Sequence, residues 1–523
     1  MDEQAVKPHR VAQESRFATH DGTSLFYRFW PALSGKPKGV IVLLHRGHEH
    51  SGRVAHLVDE LGLDDYAFYA WDARGHGQSP GVRGFSPSFG ASIRDLDSFV
   101  THIRRETSAA IEDVAIIAQS VGAVLAAAWV HDYAPNIRAL VLASPAFDIK
   151  LYVPFAKEGI GLWQKLKGTF YVNSYVKPQF LTHDPERIES YRTDPLIARP
   201  IASHILLQLY ETAKRVVDDA RAITVPTQLL ISGSDFVVRP PAPQHRFFEN
   251  LGSRIKERHV LKGFYHDTLG ERDRKPAIER IHDFIEARFA EAPQRADLTE
   301  AHIAGHTRDE ADRLSTPPLP LLTAQGLYWA STRASIAFGA LFSEGLKVGR
   351  RTGFDSGSTL DYVYENEARG IGPGGKLIDR QFLEAIGWRG IRQRKVHLEE
   401  LIGVAINRLK SEGRSTNILD IACGHGRYVI DAVVRAGAMP DSIHLRDYSP
   451  INVLAGNKLI RDRGLEAIAH MEEGDAFNEE SLAAVTPQPD LAIVSGLYEL
   501  FPDNALINRS LSGLPACRSP AHC

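Results

Sequence analysis

The sequence predicts an α/β protein built as two successive units, and three observations carry that reading. Short apolar runs (GVIVLLH, YAFYAWD, DVAIIA, IRALVLAS, TQLLIS) alternate with helix-length amphipathic stretches, which is the signature of a mostly parallel sheet covered on both faces. A second series of the same kind begins at NILDIACGHGRYVIDAV and continues through SIHLRDY, IAHMEEGDAF and DLAIVS. The 523 residues also exceed what one hydrophobic core holds, because domains run to roughly 100–250 residues.

The apolar fraction of 43% and the charged fraction of 24% exclude a disordered, collagenous or coiled-coil chain. A net charge of −3, without a basic patch, gives no electrostatic basis for binding nucleic acid. The opening MDEQAVKPHR lacks the apolar core of a signal peptide, and no apolar run of about 18 residues occurs, so a cytoplasmic, non-spanning protein is expected. Cys423, Cys517 and Cys523 cannot form a disulfide framework and lack metal-site spacing; they read as reduced thiols.

Taken in chain order, RFATHDGTSLFYRFW predicts a hairpin turning at Asp21-Gly22. The apolar runs that follow place the first domain at 15–290. Between Asp148 and about Val225 a helix-rich insertion carries Phe155, Trp163, Phe170, Tyr171, Tyr175 and Phe180, which serve either core packing or a lid over an apolar substrate, or both. Residues 291–322 are polar and end in STPPLPLL, where clustered prolines remove backbone donors; this is the expected linker. A helical lead-in occupies 323–395 and includes a glycine-rich RGIGPGGK loop. The second domain spans 396–523.

Chemistry first becomes visible at DVAIIAQSVGAVLAAAWV, an apolar strand, a tight turn carrying Ser120, and a helix of small residues. A strained strand-to-helix turn of this kind lifts a serine hydroxyl clear of the sheet. The usual G-x-S-x-G pattern reads Ala118-Gln119-Ser120-Val121-Gly122 here. Taken alone, such a serine is an ordinary helix cap. Two later strand ends change that: LLISGSDFVV places Asp235 to orient an imidazole, and HVLKGFYHDTLGE places His266 in the next loop. Serine, carboxylate and histidine in this chain order, each at the carboxyl end of a strand, converge on one edge of a parallel sheet. A carboxylate-based dehalogenase or epoxide hydrolase is disfavoured because Ser120 stands where the carboxylate is needed.

LLHRGHEHSGR and WDARGHGQSPG complete the pattern. Residues 15–290 resemble the monoacylglycerol lipase and lysophospholipase family of α/β hydrolases, with these two segments as its oxyanion loop and its D-x-x-G-H-G-x-S segment. The resemblance implies an α/β-hydrolase fold with a helical cap, and hydrolysis of single-chain lipid esters through Ser120, Asp235 and His266 without a cofactor. It implies an oxyanion hole from the backbone N–H groups of Gly47 and Val121, a small lipid ester as substrate, and peripheral membrane contact for access. The family has glycine directly after the histidine of that loop where this chain has Arg46, which is expected to narrow or charge the mouth. An acyltransferase on the same triad, or a non-catalytic scaffold, remains open. His45, His48 and His50 are explained by the loop, and no metal is expected. Asp72, Arg74 and His76 are expected to buttress their turn.

In the second unit LDIACGHG runs a strand into a small-residue turn and a helix, allowing close approach of a ligand to backbone. The next strand ends at Asp447, about right for ribose hydroxyls, and the third ends at Gly474-Asp475-Ala476-Phe477, where an acid and an aromatic could meet adenine. This segment resembles the class I S-adenosylmethionine-dependent methyltransferases, a Rossmann-like fold, and the chain resembles a bacterial fusion of the two enzymes. The resemblance implies S-adenosyl-L-methionine held by Asp420, Gly424 and Gly426 on the methionine side, Asp447 on the ribose, and Asp475, Ala476 and Phe477 at the adenine. A methyltransferase sheet has seven strands, whereas here the fourth, DLAIVSGLYELF, is followed by one helix and GLPACRSPAHC. The second domain is therefore expected to be incomplete, with exposed apolar faces and reduced stability.

Overall fold

The computed structural model describes residues 10–151, 155–173, 176–238, 241–293, 299–303, 306–315, 321–437 and 439–514. Tyr175 of the aromatic insertion, the prolines of STPPLPLL, Cys517 and Cys523 lie outside them. The chain divides into two compact units, Met1–Asp297 and Leu298–Cys523.

The first unit is an eight-stranded sheet. The hairpin of β1 (Gln13–Ala18) and β2 (Ser24–Trp30) pairs antiparallel with Phe17 opposite Leu25. It is followed by β3 (Gly39–Leu44), β4 (Tyr66–Trp71), β5 (Val114–Gln119) and β6 (Ala139–Ala143). A separate two-stranded pair in the insertion is formed by β7 (Tyr171–Asn173) and β8 (Pro200–Ala202), and the sheet resumes with β9 (Thr227–Ser232) and β10 (Lys256–Leu261). The order is β1-β2-β4-β3-β5-β6-β9-β10, parallel from β4 onward. Strands β3, β4, β5, β6 and β9 are buried at every residue, as continuous apolar runs must be when helices cover both faces.

One face packs on the helices Phe89–Thr107, Val121–Tyr133 and Ser203–Asp218 through Leu96, Trp129 and Leu209. The other packs on Leu57–Glu60 and Lys275–Ala290 through Leu57, Ile281 and Phe284. The insertion between β6 and β9 adds the helices Ala156–Lys167 and Pro185–Thr193. Four of its aromatics are not core: Phe155, Trp163, Tyr171 and Phe180 are exposed, and the helix Ala156–Lys167 buries none of its residues, whereas Tyr191 packs in a small core with Leu181, Ile197 and Val237.

The second unit begins with helices, Ala324–Gly339, Glu344–Thr352, Gly357–Glu365, Gly372–Leu383 and Ile386–Ser411. The RGIGPGGK segment is thus not a free loop. Pro373 sits in the first turn of a helix, where its missing N–H is not needed, and Gly375 lies so close to Phe342 that a Cβ would stand 2.6 Å from the Phe342 carbonyl oxygen. The polar stretch expected to be a linker likewise contains a helix, His306–Leu314.

Four parallel strands follow among the described residues: β11 (Asn417–Asp420), β12 (Ser442–Asp447), β13 (Ala469–Glu473) and β14 (Leu491–Ile493), in the order β13-β12-β11-β14. Ile418, Ile443 and Leu445 pack on the helices Ile386–Ser411, Arg427–Ala436 and Pro450–Asp462 on one face. On the other, Leu419 and Ile421 meet Leu482 and Leu514. Among the described residues no helix is long and apolar enough to cross a membrane.

Candidate active site

Strand β5 delivers Ser120 into a turn with φ 57° and ψ −118°, a conformation costly for any residue with a Cβ. The turn is held from outside: the Ser120 N–H donates to Ala143 on β6, 2.9 Å, and Ala146 N–H returns a bond to the Ser120 carbonyl, 3.1 Å. Gly122 is required because a Cβ there would lie 2.5 Å from the His45 carbonyl oxygen. The loops after β9 and β10 bring Asp235 and His266 to the same edge. Ser120 Oγ is 2.7 Å from His266 Nε2, and His266 Nδ1 is 2.7 Å from Asp235 Oδ2. The other Asp235 oxygen accepts from the N–H groups of Val237 and Val238 at 2.7 and 3.0 Å. Burial alone would favour protonated Asp235, but His266 and these two N–H groups outweigh it and hold the carboxyl below its usual range.

Gly47 and Val121 are also brought together: a Cβ on Gly47 would stand 2.9 Å from Val121 Cγ2. The loop that carries Gly47 is tied down by hydrogen bonds. His45 Nε2 accepts from Ala73 N–H at 3.1 Å, so its Nδ1 is the donor to the Arg46 carbonyl at 2.6 Å. His50 is similarly committed, to Asp194 at 2.8 Å and Gly52 N–H at 3.2 Å. Asp72, fully buried, accepts from Ser51 and Gln78 N–H groups, and Arg74 grips Asp95 through two bonds of 2.9 and 2.8 Å, so both buttress the turn as expected. His76 is half-buried, and loss of hydration pushes it down to about 3.

Arg46 departs from its expected place at the mouth. Its side chain is buried and turned inward, donating to Glu49 at 3.0 and 2.6 Å, with Asp267 at 3.6 Å. Glu49 and Asp267 draw it there, and they keep it charged against the cost of burial. Asp267 ties several elements together. It accepts from Gln119 Nε2 at 3.1 Å, beside the serine, and from Arg187 Nε at 3.1 Å, in the insertion helix Pro185–Thr193. Gln119 also donates to the His266 carbonyl, 3.1 Å. Burial raises Asp267, but Arg187 and Arg46 overcome it and the carboxyl lies well below its usual range. Arg53 closes the group through Glu49 at 3.3 Å and Ser190 at 2.6 Å. The sequence reading passed over Asp267, Gln119, Glu49, Arg53 and Arg187. The one available signal was the density of charge in HRGHEHSGR, too high for a loop that folds against the sheet.

In the second unit a cavity of about 740 Å³, in the size range of ligand pockets, is lined by Gly424, Asp447, Asp475, Ala476 and Phe477. Gly424 (φ +60°) donates its N–H to Asp447 Oδ2 at 2.8 Å. Asp447 Oδ1 accepts from Ser449 N–H and Asn452 Nδ2 at 2.9 and 2.8 Å. Asp475 accepts from Phe477 N–H at 2.8 Å.

Two of the residues expected at the cofactor, Asp420 and Gly426, do not line this cavity. Asp420 lies behind the turn, fully buried and bonded to the Tyr428 hydroxyl at 2.5 Å. Gly426 supports the entry to the helix Arg427–Ala436, where Leu445 Cδ1 would be 2.4 Å from a Cβ. Burial, only partly opposed by Tyr428, pushes the Asp420 carboxyl up to about 7. Among the described residues one His and carboxylate group could converge on an ion, His444, His470 and Glu472, but Arg446 Nε lies 3.4 Å from Glu472 and already supplies positive charge there.

Comparison with known proteins matches both halves. Residues 35–273 match the family described as "Serine aminopeptidase, S33", and residues 281–522 match the family described as "Putative methyltransferase". Escherichia coli "Uncharacterized protein YnbC" is 53% identical over 511 residues, spanning 98% of this chain and 87% of that protein. The chain belongs to the YnbC family. A monoacylglycerol lipase of Mycolicibacterium smegmatis is 26% identical over 279 residues, 52% of this chain and 96% of the lipase. The crystal structure of a Paleococcus ferrophilus monoacylglycerol lipase aligns at 23% identity and TM-score 0.45, covering 53% of this chain and 99% of that one. YnbC-family architecture is therefore an α/β-hydrolase domain, with serine-hydrolase geometry, fused to a class I methyltransferase-like domain.

Proposed function

We propose that the first unit hydrolyses esters of single-chain lipids, monoacylglycerols or lysophospholipids. The relay Ser120–His266–Asp235 carries this reading, since two 2.7 Å hydrogen bonds align hydroxyl, imidazole and carboxylate. His266 Nε2 takes the Ser120 proton as Oγ attacks the ester carbonyl, and Asp235 holds the imidazole in the required tautomer and stabilises it once charged. The N–H groups of Gly47 and Val121 receive the carbonyl oxygen as it becomes negative. His266 passes its proton to the leaving alcohol, then activates water against the acyl-enzyme.

An apolar substrate is supported by the surface above this edge. Phe236, next to Asp235, and Tyr265, next to His266, pack edge to face at 5.0 Å, and Phe180 of the insertion lies tilted against Phe236 at 5.4 Å. The exposed Phe155, Leu162, Trp163 and Leu166 suit peripheral contact with a lipid surface. The likeness to the Mycolicibacterium lipase points the same way. A panel of monoacylglycerols and p-nitrophenyl esters tests the proposal. Cleavage should favour long chains, whereas acetate esters cleaved as well as octanoate would make this a small-ester esterase. Transfer of the acyl group to added glycerol in place of water would identify an acyltransferase.

For the second unit we propose binding of S-adenosyl-L-methionine. The residues fit the group: the cavity has the size, a positive-φ glycine lets backbone approach a ligand, and carboxylates (Asp447, Asp475) and an aromatic ring (Phe477) line the same space. Asp447 would hold the ribose and Asp475, Ala476 and Phe477 the adenine. When bound, the cofactor supplies a methyl group on a cationic sulfur. Calorimetric titration of the intact chain tests this binding.

A further inference from the structure

We propose that the helix Gly357–Glu365, which precedes the βαβ series, is the second wall of this cofactor site and clamps its glycine-rich turn. The inference rests on the cofactor reading above and adds residues that no motif of the turn itself contains.

The contact is made at backbone level. A Cβ on Gly357 would lie 2.5 Å from Gly424 Cα and 2.7 Å from Asn452 Nδ2, and a Cβ on Gly424 would lie 3.1 Å from Gly357 Cα. Two glycines thus face each other where any side chain would force the helix off the turn. Beside them Ser358 Oγ donates to Asn452 Oδ1 at 3.0 Å, and Asn452 Nδ2 donates to Asp447 Oδ1 at 2.8 Å. The helix therefore reaches, through one amide, the carboxylate assigned to the ribose.

One turn further along, Asp361 accepts two bonds from Arg427, 2.6 and 2.8 Å, and stands 3.0 Å from His425 Nδ1. His425 and Arg427 flank Gly426, so a single carboxylate holds both sides of the turn. Asp361 is buried, and although burial opposes its charge, Arg427 and His425 bring it down to about 2. Ser356, Gly357, Ser358, Asp361 and Tyr364 line the cavity opposite Gly424. This segment is continuous with the rest of the unit: the helix Ile386–Ser411 runs through position 396, where the sequence pattern had placed the start of the domain. Turn geometry preset in this way lowers the ordering cost of binding.

The test uses the full chain, titrated with S-adenosyl-L-methionine and with S-adenosylhomocysteine. Gly357→Val, by forcing the helix off the turn, and Asp361→Asn, by losing a charge-assisted contact, should each weaken binding by about tenfold or more. Glu367→Gln, on an exposed carboxylate beyond the helix, should not. Hydrogen exchange of the amides of 423–427 supplies a readout without cofactor, and Asp361→Asn should accelerate it by about tenfold. The proposal is overturned if both variants bind as tightly as the wild type, or if exchange at the turn is unchanged in Asp361→Asn. Failure of the wild type to bind either ligand would instead overturn the cofactor reading, and exchange would still decide whether the helix holds the turn.

Discussion

Replacing Asp267 by asparagine removes one negative charge from a buried group in which Arg46, Arg53 and Arg187 face Glu49 and Asp267, three positive charges against two. Asparagine keeps the shape and can still accept from Gln119, so the change isolates charge. At the 3.6 Å separation of Arg46 and Asp267, Coulomb's law with an effective dielectric of ~20 gives an attraction of about 5 kcal/mol. Breaking one partner of a buried pair typically costs about 3–5 kcal/mol, because the remaining charges stay desolvated. The hydrolase unit should therefore melt roughly 5–15 °C lower. Because Asp267 follows His266 and anchors Gln119 beside Ser120, turnover should fall as well, with KM less affected. Scanning calorimetry of the full chain, paired with ester kinetics, measures both. The sign with pH is fixed: a carboxyl depressed in the folded state stabilises above its unfolded value, about 4, and that contribution is lost as pH falls through the lower folded value. The variant and wild type should thus converge in stability on acidification below about pH 4. A variant melting within about 1 °C of wild type at pH 7, against the cost expected for a broken buried pair, would refute the claim that this group is an energetic unit.

Three further outcomes are expected. Asp235→Asn should reduce turnover by a large factor, on the order of 10⁴, by favouring the wrong tautomer of His266, and an innocuous substitution would mean another acid serves. Catalytic efficiency should rise with acyl chain length by up to about 0.8 kcal/mol per buried methylene until the pocket is full, as a series from acetate to palmitate esters would show. Asp420, whose carboxyl is raised to about 7, contributes stability that is full below about pH 4 and lost as pH rises through 7. Asp420→Asn should therefore raise the melting temperature of the second unit at pH 8 and change little at pH 4; the reverse order would show that the carboxylate is stabilised there by something other than Tyr428.

The hydrolase sheet was legible because its central strands are buried on both faces and so read as unbroken apolar runs, and because Ser120 and Asp235 each follow such a run, while His266 follows the partly exposed strand β10. What lay hidden was set by contacts between distant parts of the chain. Arg46 looks like a charge for the mouth until Glu49 and Asp267, 221 positions further on, are seen to draw it inward. Asp420 sits in a cofactor motif, yet Tyr428 on the following helix takes its carboxyl. The glycines of RGIGPGGK suggested a loop, but Gly375 answers to the nearby Phe342 backbone rather than to local flexibility. Gly357 carries no motif at all, and only its contact with Gly424 gives it meaning.

The account rests on Ser120 as the nucleophile, and the most direct test is intact-mass analysis after a fluorophosphonate probe, with p-nitrophenyl octanoate turnover measured on the same samples. The wild type should gain one adduct, mapped to Ser120 and blocked by prior incubation with a lipid ester. Ser120→Ala should gain none, fold as the wild type does, and lose on the order of 10³-fold or more in turnover. An adduct on another residue, or a Ser120→Ala variant retaining activity within about tenfold, would contradict the account.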